Sequence, residues 1–199
     1  DGLLRLGTRD VDLPPEERAR RFQRMQDAVL KLEQLITRLL DVSRLRAGGP
    51  QLDPRPFDLA EAVRETCERM AKTVSASGSS LDVDTEPTPG SWDRGGIDQI
   101  LVNLLSNAAK YGAGKPIRVK VSSDDVRARI VVQDEGIGVA AEDQKRIFLR
   151  FERAVSSRSY GGFGLGLWIA SEIARASGGG IEVASRPGEG ATFTVTLPR

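Results

Sequence analysis

The chain contains no histidine at all among its 199 residues and only one cysteine, Cys67. Without histidine, a Ser-His-Asp relay, a His-ligated metal and a protein-kinase HRD loop are all excluded within the chain. One cysteine rules out a disulfide framework and suits a reducing cytoplasm; in a helical context it reads as a packed core thiol rather than a nucleophile. No apolar run approaches the ~20 residues that a membrane span needs, and no signal peptide is present, so the segment itself is expected to make no membrane contact. Lysine and arginine number 29 against 28 aspartate and glutamate, a net charge of +1, which leaves no bulk electrostatic case for nucleic acid. A phosphate-bearing ligand would need positive groups placed locally. An initiating methionine is also missing, which points to a fragment whose membrane anchor, if any, lies elsewhere.

What is present divides near residue 50. "DLPPEERARR" offers Asp12 as a cap, prolines for an opening turn and early acids, the signals of a helix start. Phe22, Met25, Val29, Leu32, Ile36 and Leu39 then recur in steps of three and four, a heptad seam; Leu30, Leu35 and Leu40 widen it toward a bundle of several helices. "RAGGP" ends that helix near Arg46, and "QLDPRPFD" reads as a proline-spaced linker. The expected organisation is a helical segment over 1–47, a linker over 48–57 and a second domain over 58–199.

In the second domain, Asp58 and Glu61 form a capping-box pattern that predicts a helix to about Ala76. "SSLDVDTE" predicts a short strand. "DRGGIDQILVNLLSNAAKYG" predicts a helix burying Ile97, Ile100, Leu101, Leu104, Leu105 and Ala108. Alternating Val and Ile on either side of Asp124 and Asp125 predict a hairpin, and "GGGIEVASRPGEGATFTVTLP" a second one after a helix through "LGLWIASEIARAS". Residues 139–163 lack sustained periodicity, apart from a short helix near "EDQKRIFLRF". The order predicts an α+β fold with helices on one face of a mixed sheet.

Three polar features stand out. Eleven of the 21 glycines lie at or after Gly136, and two of their clusters flank the aperiodic segment, as hinges of a mobile lid would. The loop "GGFGLG" has no Lys-Ser/Thr after it and no strand before it, so it is neither a P-loop nor a dinucleotide fingerprint; entering a helix N-terminus, it still suits phosphate. Asn103, Asn107 and Lys110 share one face of an apolar helix, where a carboxamide oxygen suits Mg²⁺ and an ammonium suits phosphate. A solvated polar stripe is the plainer alternative. Asp134 ends a strand just before Gly136 and Gly138, where a carboxylate can accept from an exocyclic amine, or simply form a turn.

Taken in order, Asn103, Asn107, Lys110 and Tyr111, then Asp134, Gly136 and Gly138, then Phe148 and Phe151, then Gly162, Gly164 and Gly166 resemble the N, G1, F and G2 boxes of sensor histidine kinases. The resemblance covers 58–199 and implies a Bergerat-type ATP-binding α/β sandwich with ATP and Mg²⁺ as cofactors. It implies that Asn107 holds Mg²⁺ with support from Asn103, and that Lys110 and Tyr111 meet phosphate and ribose. Asp134 would read the adenine amine, with Gly136 and Gly138 making room for the base. Phe148 and Phe151 would anchor the lid, Arg153 and Arg158 would be basic lid residues, and Gly162, Gly164 and Gly166 would offer backbone amides to the phosphates. Phe163 stands where the family often has Thr or Ser. Residues 1–46 resemble the second half of the family's dimerisation and phosphoacceptor hairpin, whose acceptor histidine would lie before Asp1. The implied function is the ATP-binding catalytic portion of a cytoplasmic histidine kinase, a homodimer weakened in this fragment, that phosphorylates a histidine outside the chain for relay to a response regulator. An ATP-sensing module without phosphotransfer, or a related serine-directed anti-sigma kinase, is the alternative.

Overall fold

The computed structural model describes residues 14, 16–18, 20–26, 29, 51–112, 114–152 and 164–199. The chain divides into two units, Asp1–Ser43 and Arg44–Arg199. In the first, the described residues from 16 onward are helical, and the amides of Glu17 and Arg18 both donate to the Pro14 carbonyl, which starts the helix at the proline pair. Phe22, Met25 and Val29 are exposed along it. Leu30, Leu32, Leu35, Ile36, Leu39 and Leu40, the rest of the apolar stripe, lie outside the described residues.

In the second unit, β1 (Arg55–Asp58) pairs antiparallel with β3 (Pro89–Trp92). Helix α1 (Leu59–Ala76) follows β1, and β2 (Leu81–Thr85) follows α1. Next come α2 (Arg94–Tyr111), β4 (Ile117–Ser123), β5 (Arg127–Asp134), a 3₁₀ turn at Arg146–Phe148, α3 (Gly166–Ala176), β6 (Gly180–Ser185) and β7 (Ala191–Pro198). The five-stranded sheet has the order β2-β4-β5-β7-β6, parallel only between β2 and β4. Along β4, Ile117, Val119 and Val121 are buried while Arg118 and Lys120 face solvent, the alternation of a sheet covered on one side. The α+β architecture with helices on one face of a mixed sheet is the expected one.

Two local reasons fix the entry to α1. Asp58 Oδ1 accepts from the amides of Ala60 and Thr88, each at 2.9 Å, so one carboxylate caps the helix and ties it to the strand connection before β3. Glu61 makes no return bond among the described residues, so only half of the capping-box pattern operates. Helix α2 is capped by Asp93 through the Gly95 amide, and the six apolar residues predicted for its inner face are all buried. Each fully buried Leu or Ile there contributes about 1.5–3 kcal/mol. Cys67 is buried, and burial pushes its thiol up to about 11, so it packs rather than reacts.

The sequence reading is corrected at two places. Arg55, Pro56 and Phe57, expected in a linker, form strand, and β3 was not anticipated at all. Trp92 explains why this ribbon holds: its indole Nε1 donates to the Pro198 carbonyl at 2.7 Å, and Phe57 meets the ring edge-on at 5.7 Å between centroids. The helix expected near "EDQKRIFLRF" is reduced to one 3₁₀ turn. No described helix is long and apolar enough to cross a membrane.

Candidate nucleotide-binding site

Helix α2 supplies the centre of the site. Asn103 and Asn107, both half-buried, lie one turn apart on it, and neither side chain makes a hydrogen bond among the described residues. Lys110 Nζ donates to the Tyr111 hydroxyl at 2.8 Å and sits 4.4 Å from its ring centroid, so the ammonium and the phenol form one unit at the helix end. All four residues lie on the C-terminal half of α2.

One side of α2 meets the start of α3. Gly166, the first residue of α3, lies so close to Asn103 that a Cβ there would be 2.9 Å from Oδ1. The cap position, Leu165, contributes no side-chain hydrogen bond, so the first amides of α3 have no side-chain cap among the described residues. Just before it, Gly164 has φ +66 and its carbonyl accepts from the Phe151 amide at 2.9 Å. That bond draws together the two ends of the segment between 152 and 164. Arg153, Arg158 and Gly162 belong to that segment and lie outside the described residues.

At its C-terminal end α2 meets the loop after β5. Asp134 is buried, and its Oδ1 accepts from the Gly136 amide at 2.9 Å. Burial raises its carboxyl above the ordinary value of 3.8, opposed by the amides of Gly136 and Ala191, which lower it. The loop is held by backbone against backbone. A Cβ on Gly136 would stand 2.1 Å from the Tyr111 carbonyl, and one on Gly138, at φ +69, would stand 1.9 Å from the Arg186 carbonyl. The amide of Ile137 donates to Tyr111 and its carbonyl accepts from Gly188. Sequence reasoning asked these glycines to leave room for a ring; in the fold their first requirement is this close docking. Gly138 docks on the turn of the predicted β6–β7 hairpin, a contact between distant segments that sequence reasoning did not anticipate.

The two phenylalanines part company. Phe148 packs edge-on against Phe193 of β7, at 6.4 Å and 84°. Phe151 is exposed, with the Arg150 guanidinium 4.6 Å from its ring centroid. The expectation of a hydrophobic anchor therefore needs correcting at Phe151: its ring is exposed, its backbone has φ 65, and its amide ties the segment to the Gly164 carbonyl.

No group of three or more His, Cys, Asp or Glu side chains that could hold a metal occurs among the described residues. A magnesium ion asks for little of that kind, keeping several waters and taking phosphate oxygens with one or two protein ligands. The unpartnered carboxamide of Asn107 is a hard oxygen donor of the type that fits.

Comparison with known proteins bears on the chain as a whole. Residues 92–199 match the family model described as histidine kinase-, DNA gyrase B-, and HSP90-like ATPase. The sensor histidine kinase MtrB of Mycobacterium tuberculosis (strain ATCC 25618 / H37Rv) is 35% identical over 192 residues, 94% of this chain and 34% of the relative. Sensor histidine kinase YcbM of Bacillus subtilis (strain 168) is 32% identical, over 96% of this chain and 63% of the relative. The chain thus spans about a third of the length of MtrB. Among solved structures, full-length ShkA in complex with AMPPNP superposes with a TM-score of 0.80 at 30% identity, covering 95% of this chain and 40% of that one. The mycobacterial sensor histidine kinase MprB gives 0.64 at 27% identity, over 73% of this chain and 97% of that one. The chain belongs to the histidine kinase-, DNA gyrase B-, and HSP90-like ATPase family and carries the ATP-binding catalytic domain of a sensor histidine kinase.

Proposed function

We propose that the second unit binds ATP with Mg²⁺ and donates the γ-phosphoryl group to a histidine outside this chain, for relay to a response regulator. The observation that carries this reading is the meeting of the uncapped start of α3 with the Asn103 face of α2. Free amides at a helix N-terminus favour an anion, and carboxamide oxygens with an ammonium beside them suit the metal and phosphates of a nucleotide. The AMPPNP complex of ShkA supports a nucleotide as the occupant.

In this reading Asn107 holds the ion and Asn103 supports it, while Lys110 and Tyr111 meet phosphate and ribose. Gly162, Gly164 and Gly166 offer amides to the phosphates. Asp134 accepts from the adenine amine, beside Gly136 and Gly138. Phe148 fixes the base of the segment that carries Arg153 and Arg158. Bound Mg²⁺ would neutralise phosphate charge. The chain's own residues orient the triphosphate and exclude water, which is most of what phosphoryl transfer asks of a protein. The nucleophile comes from elsewhere because this sequence has no histidine. The exposed apolar residues Phe22, Met25 and Val29 support a dimerising role for the first unit.

A nucleotide titration with and without Mg²⁺, followed by γ-labelled ATP and a supplied acceptor helix, tests the reading. Mg²⁺-dependent ATP binding and label on the acceptor histidine are expected. Absence of ATP binding at millimolar concentration would overturn it, and label on serine would move it to a serine-directed kinase.

A further inference from the structure

The Asp134 loop is fastened at its far side by one hydroxyl. Ser185, the last residue of β6, donates from Oγ to the Gly190 carbonyl at 2.5 Å and accepts the Val139 amide at 2.8 Å. Both bonds bear on the loop. Val139 directly follows Gly138, and Gly190 sits against Asp134 so closely that a Cβ there would be 2.0 Å from the Asp134 carbonyl. Gln144 completes the fastening: its Nε2 donates to the Ser185 carbonyl at 2.8 Å and reaches the Val139 carbonyl at 3.4 Å. The loop from Asp134 to Val139 is therefore held at Tyr111 on one side and at Ser185 on the other.

We infer that Ser185 is a positioning residue for base recognition, acting through the Asp134 loop and without touching nucleotide. The inference rests on the assignment of Asp134 as the acceptor of the adenine amine. The two ends of the site have separate supports. The Asn103, Asn107 and α3 contacts proposed for phosphate share no hydrogen bond with Ser185, whereas the backbone around Asp134 is tied to it from both ends. Removing the hydroxyl leaves an amide and a carbonyl unpaired and frees the loop on the base side alone. The loss then falls on discrimination between bases, while the phosphates are held as before.

The test compares binding of ATP, GTP and inorganic tripolyphosphate to the full chain. Ser185→Ala is expected to weaken ATP about tenfold, the size of one net hydrogen bond, and to leave tripolyphosphate within about twofold. The ratio of ATP to GTP affinity falls accordingly. Ser185→Thr keeps the hydroxyl and is expected to restore the ratio, which loss of packing alone would not do. An unchanged ATP-to-GTP ratio in Ser185→Ala, or an equal loss in both variants, would overturn the inference. If Ser185→Ala does not fold, Gln144→Ala serves, with an expected fall in the ratio of about threefold, and an unchanged ratio there likewise overturns it. Failure of the wild-type chain to bind ATP would instead defeat the functional reading on which this one rests.

Discussion

The two ends of the candidate site are built in opposite ways. Around Asp134 the chain is finished: glycines bring backbone against backbone, and the carboxylate already has the Gly136 amide. Among the described residues, Asn103 and Asn107 along α2 have no partners and the first amides of α3 have no side-chain cap. A flat base of fixed shape can be met by a rigid, pre-paired surface. Phosphates and an ion, which bring their own charge and waters, are met by groups left unpaired until binding. Substitutions at the unpaired end should therefore affect function without harming the fold, and substitutions that disturb the backbone packing of the finished end should do both.

The largest effect is expected at Asn107. Asn107→Ala should lower phosphotransfer to a supplied acceptor by about 100-fold or more, as loss of a pre-placed polar group at a charged transition state does. Its melting temperature should hold or rise slightly, since alanine is the better residue inside a helix and no hydrogen bond is lost. A large fall in melting temperature would break the comparison, showing that the asparagine serves the fold.

At the finished end, Gly138→Ala should cost stability first. The new Cβ meets the Arg186 carbonyl at a left-handed backbone position, and strain with overpacking together cost about 2–5 kcal/mol. At about 2–4 °C per kcal/mol for a chain of this length, thermal unfolding without nucleotide would show a fall of several degrees.

How much of this the sequence revealed depends on what each residue does alone. The inner face of α2 was legible because six apolar residues at helical spacing admit one reading, and all six are buried. Asp134 and the polar residues of α2 were legible because they break the pattern of the elements that carry them. The β1–β3 ribbon was not, because Pro54, Pro56 and Pro89 read as punctuation; a two-stranded edge ribbon tolerates them, and Trp92 holds it from a distance in sequence. Gly136 and Gly138 announced that side chains were forbidden but not what approached them, since the Tyr111 and Arg186 carbonyls arrive from other elements. At Phe151 the resemblance implied a buried anchor, and no local signal in the sequence marked the exposed ring that the fold has there.

Asp134→Asn sharpens the comparison through pH. Burial raises the folded Asp134 carboxyl above 3.8, so its contribution to stability is fully present below 3.8 and is lost as pH rises through the folded value. Asparagine keeps an oxygen for the Gly136 amide and has no charge to bury, so the variant should melt above the wild type at neutral pH, with the gain vanishing in acid. ATP affinity should fall about tenfold or more at neutral pH, because a charged acceptor is lost. Greater stability with weaker binding would mark Asp134 as a group kept for the ligand at some expense to the fold.

The smallest effect is expected one residue further on. Arg118 Nη1 bonds Glu135 Oε1 at 2.8 Å, with both side chains largely in solvent. Arg118→Ala should change stability by about 0.5 kcal/mol or less and leave ATP affinity unchanged, because exposed pairs are weak and screened by salt. A loop fixed without this ion pair requires such near-silence: Glu135 adjoins Asp134, and if the pair set the loop's position, ATP affinity in the variant would drop and would do so less at high salt. Equal affinities at low and high salt would leave the backbone contacts of Gly136 and Gly138, with the Ser185 fastening, as the restraints that matter there.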